Sequence, residues 1–365
     1  MTTEALIQDS VVLLRRMVAT PSPTFGEDEV CRLVESAFAG WGMDFLRMGN
    51  NIICSDLRAG AGAPTLVMDA HLDTVPAAAS YTRDPFDPGN DPDTVWGLGS
   101  NDDGGSVAAM TAAFRNHLQC TSPKVNLILC LVCEEERAGK GGSQLIYGAG
   151  GPFADGTLPR PDSFIVGEPT GMKAATSERG LLVIDAEAKG VSGHAARNEG
   201  VNALYIAMDD IQALRSHVFG RHSDIMGDVK LNVTQIQAGT AHNVIPDSCR
   251  FVVDIRPTDR YTNTEIVGEL QALCRSALTP RNLNNKSSAT PAGSRLARTI
   301  AALGLETFSS PTTSDWIRID GDAVKMGPGD SSRSHKADEY ILTEEIASAV
   351  KGYIQFIEEY GNIVE

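Results

Sequence analysis

Two histidines and a set of carboxylates stand where metal chemistry could use them. His71-Leu-Asp73 follows directly on an apolar run from Thr65. The His and the Asp are two apart, so on an extended segment they share a side. One use of that pair is a metal-binding imidazole with a carboxylate behind it that takes the second ring N–H. A polar strand end is the plainer reading. Gly97-Leu-Gly-Ser-Asn-Asp-Asp-Gly-Gly105 sets Asp102 and Asp103 among four glycines. Glycine lets backbone approach a site closely, and adjacent like charges cost energy unless a cation or donors offset them. A solvated turn would account for them too. Glu134-Glu135-Glu136 ends the apolar run Val125 to Cys133. Glu168, in Val166-Gly-Glu-Pro-Thr170, repeats that arrangement, and the proline favours an extended Glu168. His335 closes the loop Gly327-Pro-Gly-Asp-Ser-Ser-Arg-Ser-His335. Singly each signal is weak. Together, imidazole and carboxylate groups at strand ends and in loops suit zinc, cobalt or manganese. Five such ligands suit two metals that share one carboxylate.

These residues need a scaffold, and the apolar pattern supplies one. Helical spacing runs from about Glu4 to Met17 and again from Glu27 to Ala39, where Gly40 stops it. Thr65 to Met68, Val125 to Cys133 and Ser163 to Val166 predict buried strands, and small residues from Gly104 to His117 predict a closely packed helix between the first two. Strands alternating with helices predict a largely parallel three-layer sheet. The texture changes after Pro169. Leu181 to Lys189, Val229 to Ile236 and Cys249 to Ile255 alternate apolar with polar residues, and helices are expected over 202–217 and 263–276. That pattern predicts a small α+β domain with one open sheet face. It ends in the polar stretch Thr279 to Ser288, read as a linker, and a helix is expected near Glu344 to Tyr360.

Composition excludes several classes. The chain has 365 residues, with 47 acidic against 31 basic side chains and a net charge of −16. That length favours two domains over one core. The acidic balance argues against a nucleic-acid partner and against docking on anionic membrane. No apolar run approaches the roughly 20 residues of a membrane span. The N-terminus lacks a basic segment followed by an apolar core, so no signal peptide is expected. Seven cysteines, an odd number in a long chain, fit reduced thiols and a cytoplasmic setting. Cys130 and Cys133 match C-x-x-C, but three apart on a strand they face opposite ways and read as core residues.

The order of these motifs resembles the M20 metallopeptidase family, which includes acetylornithine deacetylase, succinyl-diaminopimelate desuccinylase, aminoacylase and carboxypeptidase G. His71-Leu-Asp-Thr-Val-Pro76 is similar to the family's first metal motif, and Gly97-Leu-Gly-Ser-Asn-Asp102 to its second, with Leu98 where Arg is frequent and Gly104 where Lys is frequent. Glu134-Glu135-Glu136 stands where Asp-Glu-Glu is usual, and Gly327-Pro-Gly-Asp with His335-Lys-Ala-Asp-Glu339 resembles the last motif. The resemblance implies an α/β fold: a three-layer metallo-aminopeptidase-like catalytic domain (residues 1–177 and 289–365) with an inserted α+β lid and dimerisation domain (178–288).

Carried over by position, the resemblance implies that Asp102 bridges two divalent metal ions, with zinc expected first and cobalt or manganese as alternatives. His71 and Glu168 complete one site, Glu136 and His335 the other. Glu135 is the implied general base and Asp73 orients His71. A slip of one residue would instead make Glu134 the base and Glu135 the ligand. A cis peptide is implied at Asp102-Asp103. Glu135 would take a proton from an activated water that attacks an amide carbonyl, then deliver it to the leaving amine. His194, in Gly190-Val-Ser-Gly-His-Ala-Ala196, is similar to a family histidine that stabilises the oxyanion from the partner subunit, so a homodimer through the lid is implied. Asn243 matches a substrate-reaching position and Arg256 an arginine that grips a substrate carboxylate. Arg179 reads as structural, His242 matches no role, and His117, His217 and His222 are expected at the surface.

Further pieces, Cys133-Glu-Glu-Glu136, Gly193-His-Ala-Ala-Arg-Asn-Glu-Gly200, Ser310-Pro-Thr-Thr-Ser-Asp315 and Ser331-Ser-Arg-Ser-His335, resemble acetylornithine deacetylase-like members, including those acting on succinylated ornithine. The implied activity is removal of an acetyl or succinyl group from the α-nitrogen of an amino acid such as ornithine, in arginine biosynthesis. Asp315 could pair with a cationic substrate side chain. The alternatives are an M20 dipeptidase or carboxypeptidase, a succinyl-diaminopimelate desuccinylase, and an inactive binding protein on the same fold. The last would lack a ligand or base, and none is missing here.

Overall fold

The computed structural model describes residues 1–197 and 199–364. Contacts divide the chain into two compact units. One comprises residues 1–176, 289–308 and 314–365, the other residues 177–288 and 309–313. The short piece Ser309–Thr313, which sequence reasoning left with the catalytic segment, packs in the second unit. There Ser177 Oγ donates to Ser309 Oγ at 2.8 Å and Thr313 Oγ1 to the Arg179 carbonyl at 3.1 Å.

The first unit is built on a mixed sheet whose central order is Asn51–Asp56, Asn126–Val132, Thr65–His71, Ser163–Val166, Asp322–Lys325. The last four run parallel to one another. Asn51–Asp56 is antiparallel to Asn126–Val132 and turns back on Leu46–Met48 through the short Gly49-Asn50 connection. A connection that short can join only antiparallel strands, so the sheet is parallel at its centre and not at this edge. Side chains alternate between two cores, as strand geometry requires. Leu66, Met68, Ala70, Leu127, Leu129 and Leu131 enter one core; Val67, Ile128, Cys130 and Val132 enter the other. The first core is covered by helices Thr3–Val18, Asp28–Gly40, Gly105–Leu118 and Thr343–Asn362. The second is covered by Ile146 of the short helix Ser143–Tyr147 and by Trp316 and Ile319. These are the three layers the pattern predicted. Cys130 and Cys133 are buried free thiols.

His117 departs from expectation. It is buried rather than exposed, with Nε2 3.5 Å from Asp56 Oδ2, because the last turn of its helix lies against the end of the Asn51–Asp56 strand. His217 is mostly buried against Glu269 at 2.9 Å, whereas His222 is at the surface.

The second unit has an antiparallel sheet in the order Lys230–Ala238, Ser248–Arg256, Leu182–Lys189, Ala277–Pro280. Leu182, Ile184, Ala186, Ala188, Cys249, Phe251, Val253 and Ile255 face a core shared with helices Ala203–Ser216 and Asn263–Gln271. The opposite face carries ion pairs such as Asp185–Arg281 at 2.7 Å and Glu187–Arg250 at 3.2 Å. The second helix ends five residues before the expected Ser276. Asp210 accepts the N–H groups of Arg275 and Ser276, and the Gln271 side chain bonds the Ser276 carbonyl and the Leu278 N–H. These bonds redirect the chain into Ala277–Pro280, so the expected linker begins inside the sheet. Among the described residues no helix is long and apolar enough to cross a membrane.

Candidate metal centre

The parallel register brings the chemistry together. His71 is the last residue of its strand and pairs with Val132 of the next, so the segment after Val132 emerges beside it. Glu168 lies two residues beyond Val166, the end of the strand on the other side. Sites in such sheets collect at carboxyl ends of strands. Asp102 arrives on a loop. Its peptide bond to Asp103 is cis, as the resemblance implied. The loop is held by Glu339, whose carboxylate accepts the N–H groups of Gly99 at 3.1 Å and of Asn101 and Asp102 at 2.9 Å each. Gly99 has φ +76, and a Cβ there would meet the Thr74 side chain at 2.5 Å. Asn101 ties this loop to the one carrying His335: its amide donates to the Asp330 carbonyl at 3.2 Å and its oxygen accepts the Asp330 N–H at 2.9 Å.

The two oxygens of Asp102 face different imidazoles. Oδ1 is 3.2 Å from His71 Nε2, and Oδ2 is 3.7 Å from His335 Nε2. His335 Nε2 is also 3.0 Å from Glu136 Oε1. One donor atom each from His71, Asp102 and Glu136 lies within 4.8 Å of the other two. Donor atoms this near one another can share one metal ion or stand on two neighbouring ions joined by Asp102.

The three consecutive glutamates separate. Glu134 has φ +60 and turns away: its carboxylate accepts the Gly141 N–H at 2.8 Å, in a turn where a Cβ on Gly139 would stand 2.6 Å from Glu134 Cβ. Glu136 meets His335. Glu135, between them in sequence, stands among other carboxylates, Asp315, Glu168 and Glu136.

Asp73 is placed differently from the simple expectation. His71 Nδ1 is 2.9 Å from the main-chain carbonyl of Asp73 and 3.6 Å from its Oδ1. The Asp73 carboxylate instead accepts the Glu135 N–H at 3.0 Å and the Glu136 N–H at 3.2 Å, and Thr24 Oγ1 donates to it at 2.8 Å. It fixes the backbone of Glu135 and Glu136.

Charge is unbalanced at this centre. Burial pushes the Glu135 carboxyl well above its usual range; His71 opposes this, while Asp315, Glu168 and Glu136 add to it. Burial also raises Asp103, with Glu168 and Asp102 reinforcing it against the pull of His71. Burial disfavours a charged His71, yet the Asp102 hydrogen bond and the charges of Glu135, Asp103 and Asp73 outweigh it and hold the imidazole well above its ordinary value. The bond to Glu136 pushes His335 up to about 9. More carboxylates converge than two imidazoles can neutralise, and divalent cations are the chemical answer to that excess.

Several residues here carried no signal in the sequence. Besides Thr24, the helix Ser143–Tyr147 presents Ser143 to Asp315 and Tyr147 to Asp69, one turn apart; Glu339 stood in the last motif, but with no role assigned to it. Asp315 is thus a buried acid bonded to Ser143.

In the second unit, His194 and Val244 are paired strand residues, and the Ala195 N–H donates to the Asn243 carbonyl at 3.1 Å, so His194 and Asn243 are exposed neighbours. Arg256 is held by Asp254 through two bonds, at 2.8 and 3.1 Å, and reaches Thr313 Oγ1 at 3.4 Å. Arg179 donates to the carbonyls of Met226 and Asp228, a structural role as expected.

The chain belongs to the peptidase family M20/M25/M40, whose model matches residues 67–359. It is 27% identical to a Pyrobaculum aerophilum protein provisionally described as a LysW-lysine/LysW-ornithine hydrolase, over 96% of this chain and 97% of that one. It is 29% identical to a succinyl-diaminopimelate desuccinylase of Cereibacter sphaeroides (96% and 99%) and 28% identical to an acetylornithine deacetylase of Klebsiella pneumoniae (91% and 93%). Among solved structures it resembles an M20 family metallo-carboxypeptidase from Sulfolobus solfataricus, with TM-score 0.77 and 16% identity over 97% of this chain and 100% of that one. It also resembles a dinuclear metal-binding M20 peptidase from Bacillus subtilis, with TM-score 0.74 and 15% identity over the whole of both chains. The class is therefore that of M20 metallopeptidases and amidohydrolases, with the α/β fold the motifs implied.

Proposed function

We propose that this M20 amidohydrolase removes an acetyl or succinyl group from the α-nitrogen of ornithine or a similar amino acid. The observation that carries the reading is the position of Asp102, with one oxygen toward His71 and the other toward His335, and Glu135 and Glu136 alongside. In this reading Asp102 would be shared by two divalent cations, zinc first, with cobalt or manganese as alternatives. His71 and Glu168 would complete one site and Glu136 and His335 the other. Such cations supply a Lewis acid for the carbonyl and bring the pKa of water towards neutrality.

The chain's own groups do the rest. Glu135 accepts the proton of the attacking water and passes it to the leaving amine, a task that suits a carboxyl whose proton affinity is raised. Asp73 holds the Glu135–Glu136 peptide in register. Arg256 and Asn243 bind the substrate. His194 donates to the developing oxyanion across a homodimer, a role its exposure beside Asn243 supports. Seven free thiols support a cytoplasmic setting.

The test is hydrolysis of N-acetyl- and N-succinyl-ornithine beside succinyl-diaminopimelate and dipeptides. Release of ornithine is expected. Turnover only of succinyl-diaminopimelate, or only of dipeptides, would contradict the substrate class while leaving the amidohydrolase intact.

A further inference from the structure

We infer that Thr24 is a positioning residue for the reaction, acting through Asp73 on the peptide that carries Glu135 and Glu136. This rests on the reading of the site given above. Asp73 is buried and accepts three hydrogen bonds: from Glu135 N at 3.0 Å on Oδ1, and from Glu136 N at 3.2 Å and Thr24 Oγ1 at 2.8 Å on Oδ2. Two of these donors belong to the backbone being positioned. The Thr24 hydroxyl is the third, comes from a separate segment of chain, and gives the shortest of the three bonds. A carboxylate held only by the groups it positions can turn with them; a third donor from outside fixes its plane.

The segment around Thr24 is itself anchored. Pro23 and Thr74 form a parallel bridge, Thr24 N donates to the Thr74 carbonyl at 3.2 Å, and Thr74 N donates to the Ser22 carbonyl at 2.9 Å. Gly26 N closes a turn onto the Pro23 carbonyl at 2.7 Å, and Glu27 Oε1 accepts the Phe25 N–H at 2.7 Å. The strap is therefore held by main-chain bonds that do not involve the Thr24 hydroxyl. Among the described residues that hydroxyl has one partner, Asp73, so removing it separates positioning from folding. It also makes Thr24 the point where the N-terminal strap, far from the other motifs in sequence, enters the site.

The experiment compares wild type with Thr24→Val, Thr24→Ser and Asp73→Asn, and with the Val and Asn changes combined. Three properties are measured: kcat and KM on the acyl-amino acid the wild type hydrolyses, zinc affinity by competition with a chelating dye, and amide exchange at Glu135 and Glu136 in metal-stripped protein. Thr24→Val is expected to lower kcat about 10- to 100-fold with KM little changed, to weaken zinc binding by a similar factor, and to speed exchange at both amides. Thr24→Ser should restore all three. In the Asp73→Asn background the Val change should add less than twofold. Wild-type exchange and zinc affinity in Thr24→Val would overturn the inference. So would equal losses in Thr24→Ser, which would mean that the shape of the strap matters and the hydroxyl does not. If the wild type hydrolyses none of the acyl compounds, the functional reading fails, while the exchange measurement still decides whether Thr24 fixes Asp73.

Discussion

Glu339 Oε1 accepts the backbone N–H of Asp102 at 2.9 Å, across 237 residues of sequence. The same carboxylate takes the N–H groups of Gly99 and Asn101, so one buried acid shapes the loop that presents the proposed bridging ligand. Replacing it with alanine leaves three donors in a buried setting without their acceptor. Unmet buried donors cost about 1–3 kcal/mol each. Glu339→Ala is therefore expected to destabilise the protein by at least about 3 kcal/mol in urea unfolding and to weaken cation binding. Glu339→Gln, which keeps an acceptor oxygen, should lose less of both.

Glu339 also predicts a pH dependence. Burial, with Asp102 beside it, pushes its carboxyl up to about 7 from an ordinary 4.5. An acid raised in the folded state stabilises the fold below its unfolded pKa, and that contribution is lost as pH rises through the folded value. Stability of metal-stripped protein should thus fall between about pH 4.5 and 7, by on the order of 3 kcal/mol from this group. The difference between wild type and Glu339→Gln in unfolding at pH 5 and pH 8 isolates it. A pH-independent difference would contradict the assignment.

His335 predicts the proton balance of cation binding. Its imidazole is pushed up to about 9 in the metal-free protein by Glu136. As the proposed ligand it would have to be neutral, so cation uptake below that pH should displace a proton. Affinity for zinc should rise with pH until about 9, and calorimetry in buffers of different ionisation enthalpy should register the release. For the metal-free fold the sign is opposite: the stabilisation from charged His335 is full below about 6.5 and is lost as pH rises through about 9.

Glu134 tests the division of labour among the glutamates. Its carboxylate serves the Gly141 N–H, not the centre. Glu134→Ala should cost stability, about 1.5–3 kcal/mol for a hydrogen bond to a charged group, while kcat falls less than tenfold. A loss of turnover with stability intact would shift the base by one residue.

Much of this centre was legible because strand ends are legible. His71, Glu135, Glu136 and Glu168 follow apolar runs whose parallel pairing sets them side by side. Asp102 and His335 lie in glycine-rich loops whose residue order carried the family resemblance. What could not be read depends on contacts remote in sequence. Nothing local marks Glu339 as the acceptor for Asp102, or Thr24 as the donor to Asp73. His117 looked like a surface helix residue because its partner Asp56 belongs to a different element. The end of the helix Asn263–Gln271 depends on Asp210, a side chain of the preceding helix. Separating Glu134 from Glu135 required the backbone, since the left-handed conformation of Glu134 is what turns its side chain away.

The central claim is that the carboxylates and imidazoles around Asp102 hold cations for a hydrolysis in which Glu135 moves the proton. The most direct measurement is the metal content of the purified protein together with release of ornithine from its N-acetyl and N-succinyl derivatives, for wild type and Glu135→Ala. The account predicts two metals per chain in both proteins, ornithine release by the wild type, and a loss of about 10²- to 10⁴-fold or more in the variant. Protein that takes up no divalent metal, or a Glu135→Ala variant that turns over at the wild-type rate with metal bound, would contradict it.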